Sequence, residues 1–157
     1  MTPKAKYALI GCAALTVLAG LAVAAVLALR AIDWSVEDIE VTLSAPGEVR
    51  RGEEFQISAR VRNTASKRQR LVDLDIDRSY LRGIAIRSAE PPWKESTDLM
   101  GLGTSLTFDL PIEPGEEILL VLHASALHTG DFAGDFDFCI NSELQFLTQA
   151  ARTVVSR

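Results

Sequence analysis

Residues Tyr7 to Leu29 read YALIGCAALTVLAGLAVAAVLAL, a run of about 23 residues without a charge. At about 1.5 Å per residue a helix of that length reaches about 34 Å, enough to cross a hydrocarbon core of about 30 Å. A chain built this way is expected to hold the run in a membrane and to fold the rest on one side of it. Lys4 and Lys6 precede the run, whereas Asp33, Glu37, Asp38 and Glu40 crowd the far flank behind Arg30. Short flanks rich in Lys and Arg stay cytoplasmic. The expected layout is a cytoplasmic N-terminus (1–6), a transmembrane helix (7–29), a juxtamembrane linker (30–38) and one extracytoplasmic domain (39–157). A cleaved secretory signal has a shorter apolar region, of about 7–15 residues, and a small-residue cleavage site. The Leu29-Arg30-Ala31-Ile32 exit offers no such site, so an uncleaved signal-anchor is expected.

The charge tally divides unevenly along the chain. All 21 acidic residues but only 13 of the 16 basic ones lie beyond Arg30, so the exterior part carries about −8. A basic domain is what nucleic-acid binding requires, and this composition argues against it. Arg outnumbers Lys twelve to four, a bias associated with GC-rich bacterial genomes, and the expected location is a bacterial cytoplasmic membrane. About 120 residues remain outside the anchor, enough for one core and too few for two ordinary domains.

That remainder alternates. Phe55, Ile57, Ala59 and Val61 are interleaved with Gln56, Ser58, Arg60 and Arg62, the mark of a strand with one buried face. Ile39, Val41 and Leu43 alternate likewise until Ala45-Pro46-Gly47 ends the run. Val72, Leu74 and Ile76 predict a third strand with Asp73, Asp75 and Asp77 as an acidic outer row. Arg78 to Arg82 predicts a helical turn and Ile84 to Arg87 a short strand. Pro91-Pro92 breaks any ladder, because proline lacks the donor, and Trp93 to Leu102 is expected to be a long loop. Leu106, Phe108 and Leu110 predict a strand, and Glu113-Pro114-Gly115-Glu116 a tight turn with positive φ at glycine. Ile118 to Ala126, Phe132 to Ile140 and Gln145 to Val155 complete the set. Seven to nine short strands with turns every ten residues or so predict an all-β, immunoglobulin-like sandwich of two antiparallel sheets. Its expected core is Phe55, Ile57, Val61, Leu74, Ile76, Phe108, Leu120, Leu122, Phe136 and Phe138.

Three segments carry a resemblance. Gly52-x-x-Phe55-x-Ile57-x-x-x-Val61-x-Asn63-Thr64, then Ile112-x-Pro114-Gly115-Glu116, then Gly130-x-Phe132-x-Gly134, resemble bacterial immunoglobulin-like modules of the CARDB and NEW3 type. The resemblance implies an accessory or adhesive module with no common catalytic residues, so no residue role carries over from it.

Several constellations invite chemistry and are weighed against plainer readings. His123, His128 and Cys139 supply imidazole and thiol, which suit copper or zinc, and some copper-delivery proteins share the plan of one anchor plus an immunoglobulin-like domain. Their paired-cysteine motif is absent, since Cys139 stands alone in Phe138-Cys139-Ile140. Asp73, Asp75 and Asp77, or Asp131, Asp135 and Asp137, line strand faces two residues apart, whereas calcium wants six to eight oxygens converging from a loop. No Gly-x-Ser-x-Gly nucleophile context occurs. No catalytic residue, metal site or cofactor is therefore expected. Cys12 falls inside the apolar run, which leaves Cys139 without a disulfide partner. Alternation turns Cys139 away from the core, and the Trp93–Leu102 loop is expected to cover it.

The clearest local anomaly is a basic hairpin loop in an acidic domain. Arg62, Lys67, Arg68 and Arg70, with Arg60, are the candidate binding residues, for lipid head groups, anionic wall polymer or an acidic partner. Otherwise they form a solvated loop paired with the Asp73–Asp77 row. The functional expectation is a non-catalytic, single-pass membrane protein that presents an interaction domain to another envelope protein, with no small-molecule substrate. The alternative is an envelope assembly factor or metal chaperone of similar architecture.

Overall fold

A computed structural model describes Val36 and residues 38–157. The apolar run and most of the linker lie outside the described residues. Among those described, no helix is long and apolar enough to cross a membrane.

Among the described residues ten strands form two sheets. They are β1 (Ile39–Ser44), β2 (Glu48–Arg50), β3 (Glu54–Asn63), β4 (Gln69–Asp77), β5 (Ile84–Glu90), β6 (Glu95–Asp98), β7 (Gly103–Ile112), β8 (Glu117–Ala126), β9 (Gly130–Ile140) and β10 (Phe146–Ser156). One helical turn, α1 (Arg78–Leu81), sits between β4 and β5, capped by Asp77 Oδ1 accepting from Ser79 N at 2.9 Å. One sheet has the order β1-β3-β8-β5 and the other β2-β10-β9-β4-β7-β6. After β1 the chain turns at Pro46 and crosses to the second sheet, where β2 runs parallel to β10. That switch, and the orders of four and six, give an immunoglobulin-like sandwich. The departure is that β5 joins the first sheet before the β6–β7 hairpin extends the second.

Nine of the ten expected core residues are buried, from Ile57 and Val61 on β3 to Phe136 and Phe138 on β9. Phe55 is the exception. It is only partly buried near the start of β3, where it packs against both the main core and a small cluster of Val49, Ala126 and Val155. Tyr80 is a core member that alternation did not reveal, since it comes from α1. Its ring meets Phe136 edge-on, with centroids 5.1 Å apart. Gly134 makes room for it, since a Cβ there would stand 2.9 Å from Tyr80 Cβ.

Three expectations need correction. The described residues hold ten strands and not seven to nine, because β2 and β6 are too short and polar to show a period, and β6 lies within the expected Trp93–Leu102 loop. In β4 a register shift between Leu71 and Asp73 breaks the alternation. Leu71 enters the core in place of Val72, which is only partly buried. The acidic row is consequently not a solvated one: Asp73 is buried, Asp75 partly so, and only Asp77 is exposed.

The predicted turn at Glu113–Glu116 is present, with Gly115 at φ +78°. Beside it Asn63, wholly buried, acts as a hub. Its Nδ2 donates to Lys67 O and Ile112 O, each at 2.9 Å, and its Oδ1 accepts from Ala65 N. Every polar atom of that side chain is thus satisfied, which burial of an amide requires.

Candidate functional site

The basic residues do not converge into one patch. Arg62 lies on the outer face of the four-stranded sheet, opposite Glu40 in register. Arg68 Nε pairs with Glu113 Oε1 at 3.0 Å, and Arg60 Nε reaches Glu117 Oε1 at 4.0 Å. Arg70 Nη1 donates to Asp109 Oδ1 at 2.5 Å, while Lys94 Nζ donates to Asp109 Oδ2 at 2.7 Å. Lys94 first, and Arg70 with it, hold the Asp109 carboxyl below the usual carboxylate range. The partners are therefore Glu113, Glu117 and Asp109, not the Asp73–Asp77 row. Of the four candidates, Arg62 and Lys67 make no ion pair within 4 Å among the described residues.

The imagined metal trio is dispersed. His123 lies on the outer face of the four-stranded sheet, with Nε2 3.3 Å from Glu90 Oε1. His128 occupies the turn after β8, where its backbone N–H donates to Gly83 O. Cys139 lies on the outer face of the other sheet, in register with Phe146 and Asp73. Among the described residues no group of three or more His, Cys, Asp or Glu side chains is placed to hold a metal ion. In the second acidic set, Asp131 is paired with Arg152, whose guanidinium lowers its pKa, and Asp137 accepts from Thr148 Oγ1 at 2.6 Å.

Cys139 is 1% exposed. It points away from the core as alternation predicts, but the expected cover is wrong: Trp93–Leu102 contributes β6, separated from β9 by β4 and β7. Its surroundings are its register neighbours and Asp75 Oδ2, 3.9 Å from Sγ. Burial first, then the charges of Asp75, Asp73, Asp137 and Glu143, push the thiol up to about 12. Such a thiol stays protonated and unreactive near neutral pH. Asp75 is raised as well, mainly by burial and further by Asp73 and Asp137, with Ser105 opposing.

A surface that sequence reasoning missed is an apolar cleft of about 250 Å³ at one margin of the sandwich. It is lined chiefly by Ile76 from β4, Leu81 from α1, Ile84 and Ile86 from β5, Trp93, Leu106 from β7 and Leu127. Its origin is the unequal width of the sheets. The larger sheet continues past β4 through β7 to β6, while the smaller ends at β5; between these margins Ile76, Ile84 and Leu106 form a buried floor, and Leu81, Ile86 and Trp93 are only partly covered. Leu127 at the rim is 38% exposed, and Leu102 and Met100, from the β6–β7 hairpin, are 72% and 93% exposed. A broader depression of about 420 Å³ on the outer face of the smaller sheet is floored by Glu54, Gln56, Arg87, Ser88 and His123. That floor is polar and gains little from being covered, whereas the cleft offers apolar area.

No family model and no curated protein matches the sequence. Solved structures share the fold. AvmM, which catalyses macrocyclization in alchivemycin A biosynthesis, is 11% identical, with 78% of this chain and 91% of that chain covered and a TM-score of 0.50. A CARDB domain from Pyrococcus furiosus is 13% identical over 76% of this chain and 94% of that one, at a TM-score of 0.48. The cupredoxin domain of AmoB from Nitrosocaldus yellowstonii is 13% identical over 80% and 91%, also at 0.48. At these identities the likeness is one of fold alone.

Proposed function

We propose that this chain is a non-catalytic, single-pass membrane protein whose immunoglobulin-like domain docks another protein on the outer side of a bacterial cytoplasmic membrane. The observation that carries the docking part is the open apolar cleft between β5 and β6. A partner side chain of aliphatic or aromatic character, entering against Trp93, Leu81 and Leu127, would remove apolar area from water at about 25 cal/mol per Å². Strand addition is the less favoured mode at this margin. β6 has four residues, and β5 carries a register shift between Ile86 and Ser88 with Pro91-Pro92 behind it. Short, bulged and proline-flanked edges resist pairing.

The anchor rests on the Tyr7–Leu29 run and the orientation on Lys4 and Lys6. Crosslinking in native membranes, on wild type and on Leu127→Glu, tests the docking. A discrete adduct lost in the variant, with the domain still folded, supports it; an unchanged adduct moves the contact to another face. Stoichiometric Cu(I) or Zn(II) binding at micromolar levels, lost on His123→Ala, would instead favour the metal-chaperone alternative.

A further inference from the structure

The outer face of the six-stranded sheet gathers carboxylates that the sheet itself does not neutralise. Leu74 and Ile76 of β4 enter the core, so Asp73 and Asp75 beside them face outward, together with Asp137 of β9. Asp75 stands opposite Asp137 in register, and Asp73 opposite Cys139. Side chains paired in this way have Cβ atoms about 5 Å apart, where like charges destabilise a sheet. Asp73 is 6% exposed, and among the described residues its carboxylate makes no ion pair and accepts no hydrogen bond. Asp75 Oδ1 is buried without a hydrogen-bond partner. The basic residues of these strands are engaged elsewhere, Arg70 of β4 with Asp109 and Arg152 of β10 with Asp131. Withdrawing a carboxylate from water without a partner costs free energy, and asparagine would fill the same space without the charge.

An aromatic side chain completes the row. Phe146 of β10 is in register with Cys139 from the other side and is 49% exposed. Asp73 and Phe146 thus flank Cys139, two strand spacings or about 10 Å apart, and Asp137 lies two residues along β9 from it.

We propose that this face binds an arginine side chain of a partner protein, with the edge of the guanidinium toward Asp73 and Asp137 and its plane against the ring of Phe146. A guanidinium fits better than an ammonium, because it is planar and weakly hydrated, offers paired donors to carboxylates and stacks on aromatic faces. Calcium is a poor occupant, since it wants six to eight converging oxygens and the described residues place no such group. The acidic surplus beyond the apolar run draws a basic partner toward the domain. This contact lies on the outer face of one sheet, apart from the cleft between the sheet margins, and stands or falls independently of the docking proposed there.

The test uses the full chain in detergent micelles, with para-fluorophenylalanine replacing Phe146 and its fluorine resonance as the readout. The probes are a blocked Gly-Gly-Arg-Gly-Gly peptide and the same peptide with lysine or citrulline in place of arginine. The arginine peptide should shift the resonance saturably, the lysine peptide should bind more weakly, and the neutral citrulline peptide should leave the resonance in place. Asp73→Asn and Asp75→Asn should each weaken binding about tenfold, the loss expected when a charged partner is removed. Because Asp75→Asn relieves a like-charge pair, its loss of binding does not come from unfolding. Glu54→Gln removes the same charge on β3 and should leave binding unchanged. A resonance that no peptide moves, an equal shift from the citrulline peptide, equal affinity for the lysine peptide, or equal weakening by Glu54→Gln would each overturn the proposal.

Discussion

Tyr80 Oη lies 2.9 Å from Thr153 Oγ1 in the core, and Thr153 Oγ1 donates onward to Pro46 O at 2.9 Å. Since a carbonyl only accepts, the direction of the relay follows: Tyr80 donates to Thr153, and Thr153 to Pro46. Three distant pieces of chain are joined there, α1, the last strand and the turn at which the chain changes sheets. Tyr80→Phe removes one net hydrogen bond and should cost about 1 kcal/mol. Thr153→Val leaves both the Tyr80 hydroxyl and the Pro46 carbonyl without their partner and should cost about 2–3 kcal/mol. Urea denaturation of both variants and their double mutant checks this. The double mutant should fall short of the sum, because the two side chains share one bond.

Phe136→Ala tests the core. The ring is fully buried and carries the edge contact to Tyr80. Truncation should cost about 3–5 kcal/mol, against a total stability of about 5–15 kcal/mol for a domain of this kind. Calorimetry should find the variant melting far below wild type, and an unchanged melting temperature would contradict the packing described.

The thiol of Cys139 should be inert. In the folded domain at pH 8 alkylation should be far slower than in urea, because burial and the neighbouring carboxylates keep the thiolate unpopulated. Equally fast alkylation in both conditions, or a Cys139–Cys139 dimer recovered from cells, would contradict the buried environment.

Asp75 gives a pH dependence of determinate sign. Its folded pKa is raised, so its contribution to stability is fully present below the unfolded carboxylate value and is lost as pH rises through the folded one. Asp109 and Asp131, both lowered, contribute above the unfolded value and lose that contribution as pH falls. Asp75→Asn should therefore stabilise the domain at pH 7, by removing a half-buried charge that burial and the neighbouring Asp73 and Asp137 disfavour. Lowering the pH into the range where the wild-type carboxyl protonates should erase that gain. Thermal melts from pH 7 down to pH 4 read both effects.

Much of this fold could be read from alternation. β3 and β9 keep strict period two on opposite sheets, and Ile57, Val61, Phe136 and Phe138 point where the pattern puts them. The pattern failed where an extra residue breaks it, as between Leu71 and Asp73, and where a strand is too short to show a period, as in β2 and β6. Tyr80 was hidden because α1 is one turn long and no stripe of apolar residues announces it. The site was less legible than the fold. The basic loop is visible in sequence, but its neutralisation by Glu113 and Asp109 depends on residues some forty positions away. The cleft follows from the relative width of two sheets, a property that no local pattern encodes.

The most direct measurement is site-specific photo-crosslinking in intact cells, with the probe in place of Leu127 at the cleft rim and in place of Arg60 on the outer face of the smaller sheet. Docking at the cleft predicts one discrete protein adduct from position 127 and none from position 60, with the cleft adduct suppressed by Leu81→Asp in a domain that stays folded. Adducts of equal yield from both positions, or an adduct from position 60 alone, would contradict it.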